Sequence, residues 1–162
     1  MLLWFAGLSV VIVWLVFRDT AIDYRLVMAG ALLPDVVDTP FGGARALHTV
    51  AASAVLLAVV MVATRGRRAA RRRLLALPVG TLLHLVLDGM WASPRVFWWP
   101  LQGWSFPGEG LPSSSRPLAV ILLQEVAGAA ALVAGARRFR LDQPERRRTF
   151  LRTGRLGRDL VT

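Results

Sequence analysis

Apolar residues along this chain come in long blocks, and the charged residues fall mostly between the blocks. The first block, residues 1–17, ends at Arg18-Asp19. At ~1.5 Å per residue it predicts a helix covering most of a ~30 Å hydrocarbon core. The second, residues 21–37, is less uniform: it opens among Asp23 and Arg25 and closes in Leu32-Leu33-Pro34-Asp35-Val36-Val37-Asp38. Proline lacks a backbone donor, so this helix is expected to bend or break at Pro34. Thr39-Pro40-Phe41-Gly42-Gly43 reads as a turn. Three more blocks follow at residues 46–64, 74–92 and 117–136. An arginine run at 65–73 joins the third to the fourth, and a long connector at 93–116 carries Trp98, Trp99 and Trp104. The fold expected is all-α, an integral membrane bundle of about five helices over 1–136. An arginine-rich tail, 137–162, reads as surface or disordered chain with no second core. No internal repeat is visible.

Composition sharpens this picture. Hydrophobic residues make up 55% of the 162, with mean hydropathy +0.51, above the usual soluble share. A net charge of +10 would point to nucleic acid in a soluble protein. In a membrane chain, arginines that set topology and face anionic lipid account for the same charge, so lipid is the expected partner and nucleic acid is not. The absence of cysteine excludes disulfides and thiolate metal sites. The N-terminus lacks a basic n-region and a small-residue cleavage site, so the first block is expected to be retained as a span.

Arginine placement predicts an orientation. The 65–73 run, the tail, Arg18 and Arg25 share one side of a five-span arrangement; Arg45, Arg95 and Arg116 fall on the other. Basic residues favour the cytoplasm, which predicts a bacterial inner-membrane protein with its N-terminus outside and its C-terminus in the cytoplasm. The tryptophans then sit at the outer interface, where an aromatic belt is expected.

On that map five potential ligands reach one level from three helices. Asp35 and Asp38 lie at the outer end of span two, His48 at the outer start of span three, and His84 and Asp88 toward the outer end of span four. His84 and Asp88 are one turn apart and share a helix face. Ionisable groups are costly inside a span and need a partner or a task. Imidazoles with carboxylates suit a divalent metal, zinc first, with manganese or iron as alternatives. Taken singly, each residue has a plainer reading: a His–Asp hydrogen bond, an interfacial histidine, acids at a helix end. Glu125, about two turns into span five, is expected to face inward at the depth of His84. It would serve there as a further ligand or as a partner orienting His84; a hydrogen bond between helices is the alternative.

The ordered pieces Leu33-Pro34-Asp35-Val36-Val37-Asp38, His48-Thr49, Gly80-Thr81-Leu82-Leu83-His84-Leu85-Val86-Leu87-Asp88 and Trp99-Pro100 resemble the membrane-bound metal-dependent hydrolases. The better-known branch of that family is described as LexA-binding and inner-membrane-associated. The resemblance spans roughly residues 26–106. It implies a helical metal-binding membrane protein, distantly akin to zinc phospholipase C and P1-type nucleases. By that analogy Asp35, His48, His84 and Asp88 would be ligands, and Asp38 a ligand or general base. Two departures stand out: the first helix lacks the histidine many members carry there, and the second motif has only His48 where the better-known branch has two histidines. Two functions are therefore expected in competition. One is a metal-dependent hydrolase acting on a phosphoester of a lipid or envelope component at the outer face. The other is a non-catalytic membrane protein using the cluster for ion binding, packing or partner assembly.

Overall fold

In the computed structural model, which describes residues 1–106 and 115–160, every regular element is helical. Each of the five predicted blocks contains a helix: α1 (Leu2–Phe17), α2 (Tyr24–Asp38), α3 (Val50–Ala63), α5 (Ala76–Asp88) and α7 (Leu118–Arg138); the arginine run, the connector and the tail add α4 (Arg68–Leu74), α6 (Pro94–Phe97) and α8 (Pro144–Thr153). Only α7, among the described residues, is both long and apolar enough to cross a membrane by itself. α1 and α3 are apolar but shorter. The blocks overestimate helix length because their ends are spent on other geometry. Short 3-10 turns at Thr39–Phe41, Ala46–His48 and Met90–Ala92 extend α2, precede α3 and follow α5. The remainder of the connector, residues 107–114, lies outside the described residues.

Two further expectations are corrected. α2 runs unbroken through Pro34 to Asp38. Proline costs one donor, but it does not force a break where the flanking helix is held by its neighbours. The tail, expected to lie loose at the surface, folds as α8 and a final turn whose Leu156 and Leu160 enter the same buried cluster as Val13, Trp14, Tyr24 and Phe139. The chain after α8 is pinned through backbone bonds, Tyr24 N–H to Gly154 C=O at 3.0 Å and Leu156 N–H to Thr20 C=O at 3.0 Å. Apolar residues spaced thinly among arginines escape a reading by blocks.

The helices pack in the order α7, α1, α2, α5, α3. The tightest seams use glycine. A Cβ at Gly30 would run into the Leu77 carbonyl, and one at Gly80 into the Val27 carbonyl, so α2 and α5 meet backbone to backbone. Gly7 and Gly128 do the same for α1 and α7. Small residues at such seams are how helices associate where lipid removes the hydrophobic drive. The outward faces remain apolar: Val55, Val59 and Val62 on α3 and Leu122, Val126 and Val133 on α7 are exposed. Apolar faces on that scale belong against lipid or protein rather than water.

The two ends of the bundle differ. At one, the arginine run and tail meet the α1–α2 junction: Arg72 pairs with Asp19 at 2.7 Å, Arg73 with Asp23 at 3.0 Å, and Arg25 reaches the Leu151 carbonyl at 2.6 Å. α2 and α5 both start there and run parallel, because the Ala31–His84 contact lies further along both. Their C-terminal ends carry the polar cluster.

A candidate metal centre

Three of the expected ligands converge. His48 Nε2 and His84 Nε2 are 3.3 Å apart, and each lies 3.5 Å from Asp35 Oδ1. A tetrahedral ion with bonds of ~2.0–2.1 Å separates its ligands by roughly 3.3–3.4 Å. An octahedral ion with similar bonds would draw adjacent ligands to about 3.0 Å. The triangle observed is of a size that one divalent ion can bridge.

What holds each ring fixes what it offers. His48 Nδ1–H donates to Asp38 Oδ2 at 2.8 Å. The same oxygen accepts the backbone N–H groups of Arg45, Leu47 and His48 at 3.0, 3.0 and 3.2 Å. The turn that carries His48 is thus wrapped around one carboxylate oxygen. His84 Nδ1–H donates to the Ala31 carbonyl at 2.7 Å, a contact made possible by the Gly30–Gly80 seam. Phe5 lies against the His84 ring, centroids 4.1 Å apart. With both Nδ1 atoms committed as donors, both Nε2 atoms face each other and Asp35 Oδ1, and a neutral ring offers its Nε2 lone pair there. Asp35 Oδ1 is buried with no hydrogen-bond donor. With neither ring protonated at Nε2, three acceptors face one another and repel, and burial raises that cost. A cation at their centre, whether a metal ion or a proton on one Nε2, removes it. The donor set fits a divalent metal, and the backing of each imidazole by an oxygen acceptor is the usual arrangement behind metal-bound histidine.

Both imidazoles are fully buried, while the Asp35 side chain keeps 14% exposure and forms the open edge of the site.

Not every expected ligand joins the triangle. Asp38 stands behind His48, all four of its donors on one oxygen, and orients the ring rather than facing the centre. Asp88 is buried one turn beyond His84, but its carboxylate turns to Arg116, whose Nη2 reaches the Asp88 carbonyl at 2.7 Å and Oδ1 at 3.4 Å. Arg116 also donates to Gln124 Oε1 at 3.0 Å. Asp88 Oδ2 stays buried and unpartnered. Glu125 points inward as expected, yet toward a different helix: its Oε2 accepts the Leu3 N–H at 3.2 Å. Matching depth did not settle which neighbour α7 faces. The Gly7–Gly128 seam puts α7 on α1, whose first turn offers free N–H groups and the positive end of a helix dipole.

Arg116, Phe5 and the Ala31 carbonyl were not expected at the site. Arg116 counted only as an outer arginine, and neither an apolar ring nor a backbone oxygen leaves a sequence signal.

Because Asp38 acts through His48, Asp38→Asn is expected to keep the fold but lower metal affinity about 10–100-fold. Competition with a fluorescent zinc chelator reads this directly, and unchanged affinity would show that the ring needs no such partner.

No curated protein and no solved structure matches the chain. Its residues 2–150 match the YdjM inner membrane protein family, a location that agrees with the apolar outward faces, and the chain belongs to that family.

Proposed function

We propose that this protein is a multi-pass metal-dependent hydrolase of the inner membrane, acting on a phosphoester of a lipid or envelope component at the outer face. The observation that carries the reading is the Asp35–His48–His84 triangle, in which Asp35 Oδ1 and the two Nε2 atoms face one another at 3.3 and 3.5 Å. A divalent ion held there supplies Lewis acidity toward a phosphoryl oxygen and toward water. The chain's own residues do the rest. Asp38 and the Ala31 carbonyl keep both Nε2 lone pairs aimed inward, and Asp35 offers the accessible edge. Asp88 Oδ2, buried without a donor one turn beyond His84, is assigned the role of taking the proton. Arg116, fixed on Asp88, holds that carboxylate in position.

Five membrane passages with the triangle toward the outside fit the separation of the two ends. The arginine run, the α1–α2 junction and the tail gather at one end, which positive charge favours in the cytoplasm, and the triangle lies toward the other. Shorter helices span by local thinning of the bilayer and by arginines reaching the interface. The chain has no cysteine, so single cysteines test this cleanly. In intact cells Ser105→Cys is expected to react with a membrane-impermeant maleimide and Ala69→Cys only after permeabilisation. The reverse pattern would turn the protein over and put the site in the cytoplasm.

Catalysis is tested with zinc-loaded protein in detergent, offered lipid phosphomonoesters and phosphodiesters, with wild type compared to Asp35→Asn. Release of phosphate or headgroup by the wild type alone supports hydrolysis. A loaded wild type that releases nothing from either class would leave the centre as an ion-binding site and end the hydrolase reading.

A further inference from the structure

At the other end of the molecule, where α7 meets α8, lies an open cleft of about 810 Å³. The chain reverses there through Arg140, which adopts a left-handed backbone with φ 53°. The cleft's floor is apolar, including Val133, Phe150 and Leu151, and its rim carries Arg137, Arg140 and Arg147. Asp142 also lines it. Among the described residues none of these three guanidiniums makes an ion pair or a side-chain hydrogen bond. Arg25, Arg72, Arg73 and Arg146 at the same end all do. The charge of Asp159 reaches Arg140 without pairing with it. The carbonyl end of α7 offsets part of the positive charge. Three cations held around one cleft still favour an anion with several acceptor oxygens, and the arginine fork suits phosphate.

The apolar floor decides what kind of phosphate. A soluble anion gains nothing from Val133, Phe150 and Leu151. Val133 is exposed and belongs to the helix apolar enough to cross a membrane. Leu151, also exposed, lies on α8, which carries arginines and apolar residues together in the manner of an interfacial helix.

We infer that this cleft binds an anionic phospholipid of the leaflet at the C-terminal end of α7. Arg137, Arg140 and Arg147 hold the phosphate, and the start of an acyl chain lies over Val133 and Leu151. The site is separate from the Asp35–His48–His84 centre and does not depend on it.

Native mass spectrometry of the full chain in detergent, titrated with phosphatidylglycerol or phosphatidylcholine, tests this. The wild type is expected to hold one phosphatidylglycerol at least about tenfold more tightly than phosphatidylcholine. Arg137→Gln/Arg140→Gln/Arg147→Gln is expected to remove that preference. Arg65→Gln/Arg67→Gln/Arg68→Gln, which deletes the same charge on exposed residues elsewhere at this end, is expected to keep it. Equal retention of the two lipids by the wild type overturns the proposal without reference to any variant. Equal loss in both triple variants reduces the effect to general charge and also overturns it. Displacement of the lipid by micromolar glycerol phosphate would mark a soluble-anion site instead.

Discussion

His84→Ala is expected to leave the protein folded in the membrane and unable to retain zinc, with affinity lower by more than about 100-fold. The ring supplies one corner of the triangle, its Nε2 lying 3.3 Å from that of His48 and 3.5 Å from Asp35 Oδ1. Removing it leaves two ligands, too few for a three-ligand site. The cavity left beside Phe5 costs some stability. His48→Gln provides a second route to the same end, with a carbonyl oxygen in place of the imidazole. Metal content after dialysis, read by mass spectrometry alongside thermal unfolding in detergent, separates ligand loss from unfolding. Full metal retention by well-folded His84→Ala would remove that ring from the centre.

The second large effect is in the seam that brings the ligands together. Gly80→Val is expected to destabilise the protein by about 3 kcal/mol or more and to abolish metal binding with it. Ordinary overpacking is relieved by moving side chains. Here the added carbon meets the Val27 carbonyl and the Ala31 amide, both backbone of α2, so one helix must move. Ala31 is the residue whose carbonyl fixes the His84 tautomer, and Asp35 follows one turn later, so any separation of α2 from α5 pulls the triangle apart. Gly135→Ala is the control: its Cβ would meet only the Phe139 ring at 3.5 Å, and alanine favours helix, so stability should hold or rise by up to ~1 kcal/mol. Thermal unfolding of the two variants in one detergent compares them. Equal melting temperatures would mean that α2 and α5 do not touch as closely as described.

Much of this was legible before any coordinates. The five apolar blocks each contain a helix, because sustained apolarity with arginine at the ends leaves little else for the backbone to do. His48, His84 and Asp35 are found together because their positions along three blocks fix their depth, and depth in a bundle of short helices is a strong constraint. Lateral arrangement was not legible. Depth alone put Glu125 beside His84, whereas the glycine seam of α1 and α7 put it beside Leu3. The same gap explains Asp88: its helical face was correct, but a pairing with Arg116 across 28 residues is not encoded in local spacing. Asp38 shows a subtler limit. Its place near His48 could be read from the motif, whereas its position on the far nitrogen, which makes it an orienting group and not a ligand, depends on the turn that folds around its oxygen.

The tail was misread for a different reason. Charge density in 137–162 overshadows five apolar residues, Phe139, Leu141, Phe150, Leu156 and Leu160, that dock it on the α1–α2 junction. Docking gathers arginines of the tail and of the 65–73 run at one end of the bundle.

The central claim is that Asp35, His48 and His84 hold one divalent ion. X-ray absorption at the zinc edge, on full-length protein purified in detergent and loaded with one equivalent of zinc, tests it most directly. The account predicts a low-coordinate site with nitrogen and oxygen ligands at about 2.0–2.1 Å and the multiple-scattering pattern of two imidazoles. A folded protein that retains no stoichiometric zinc, or zinc surrounded by six oxygens with no imidazole, would contradict it.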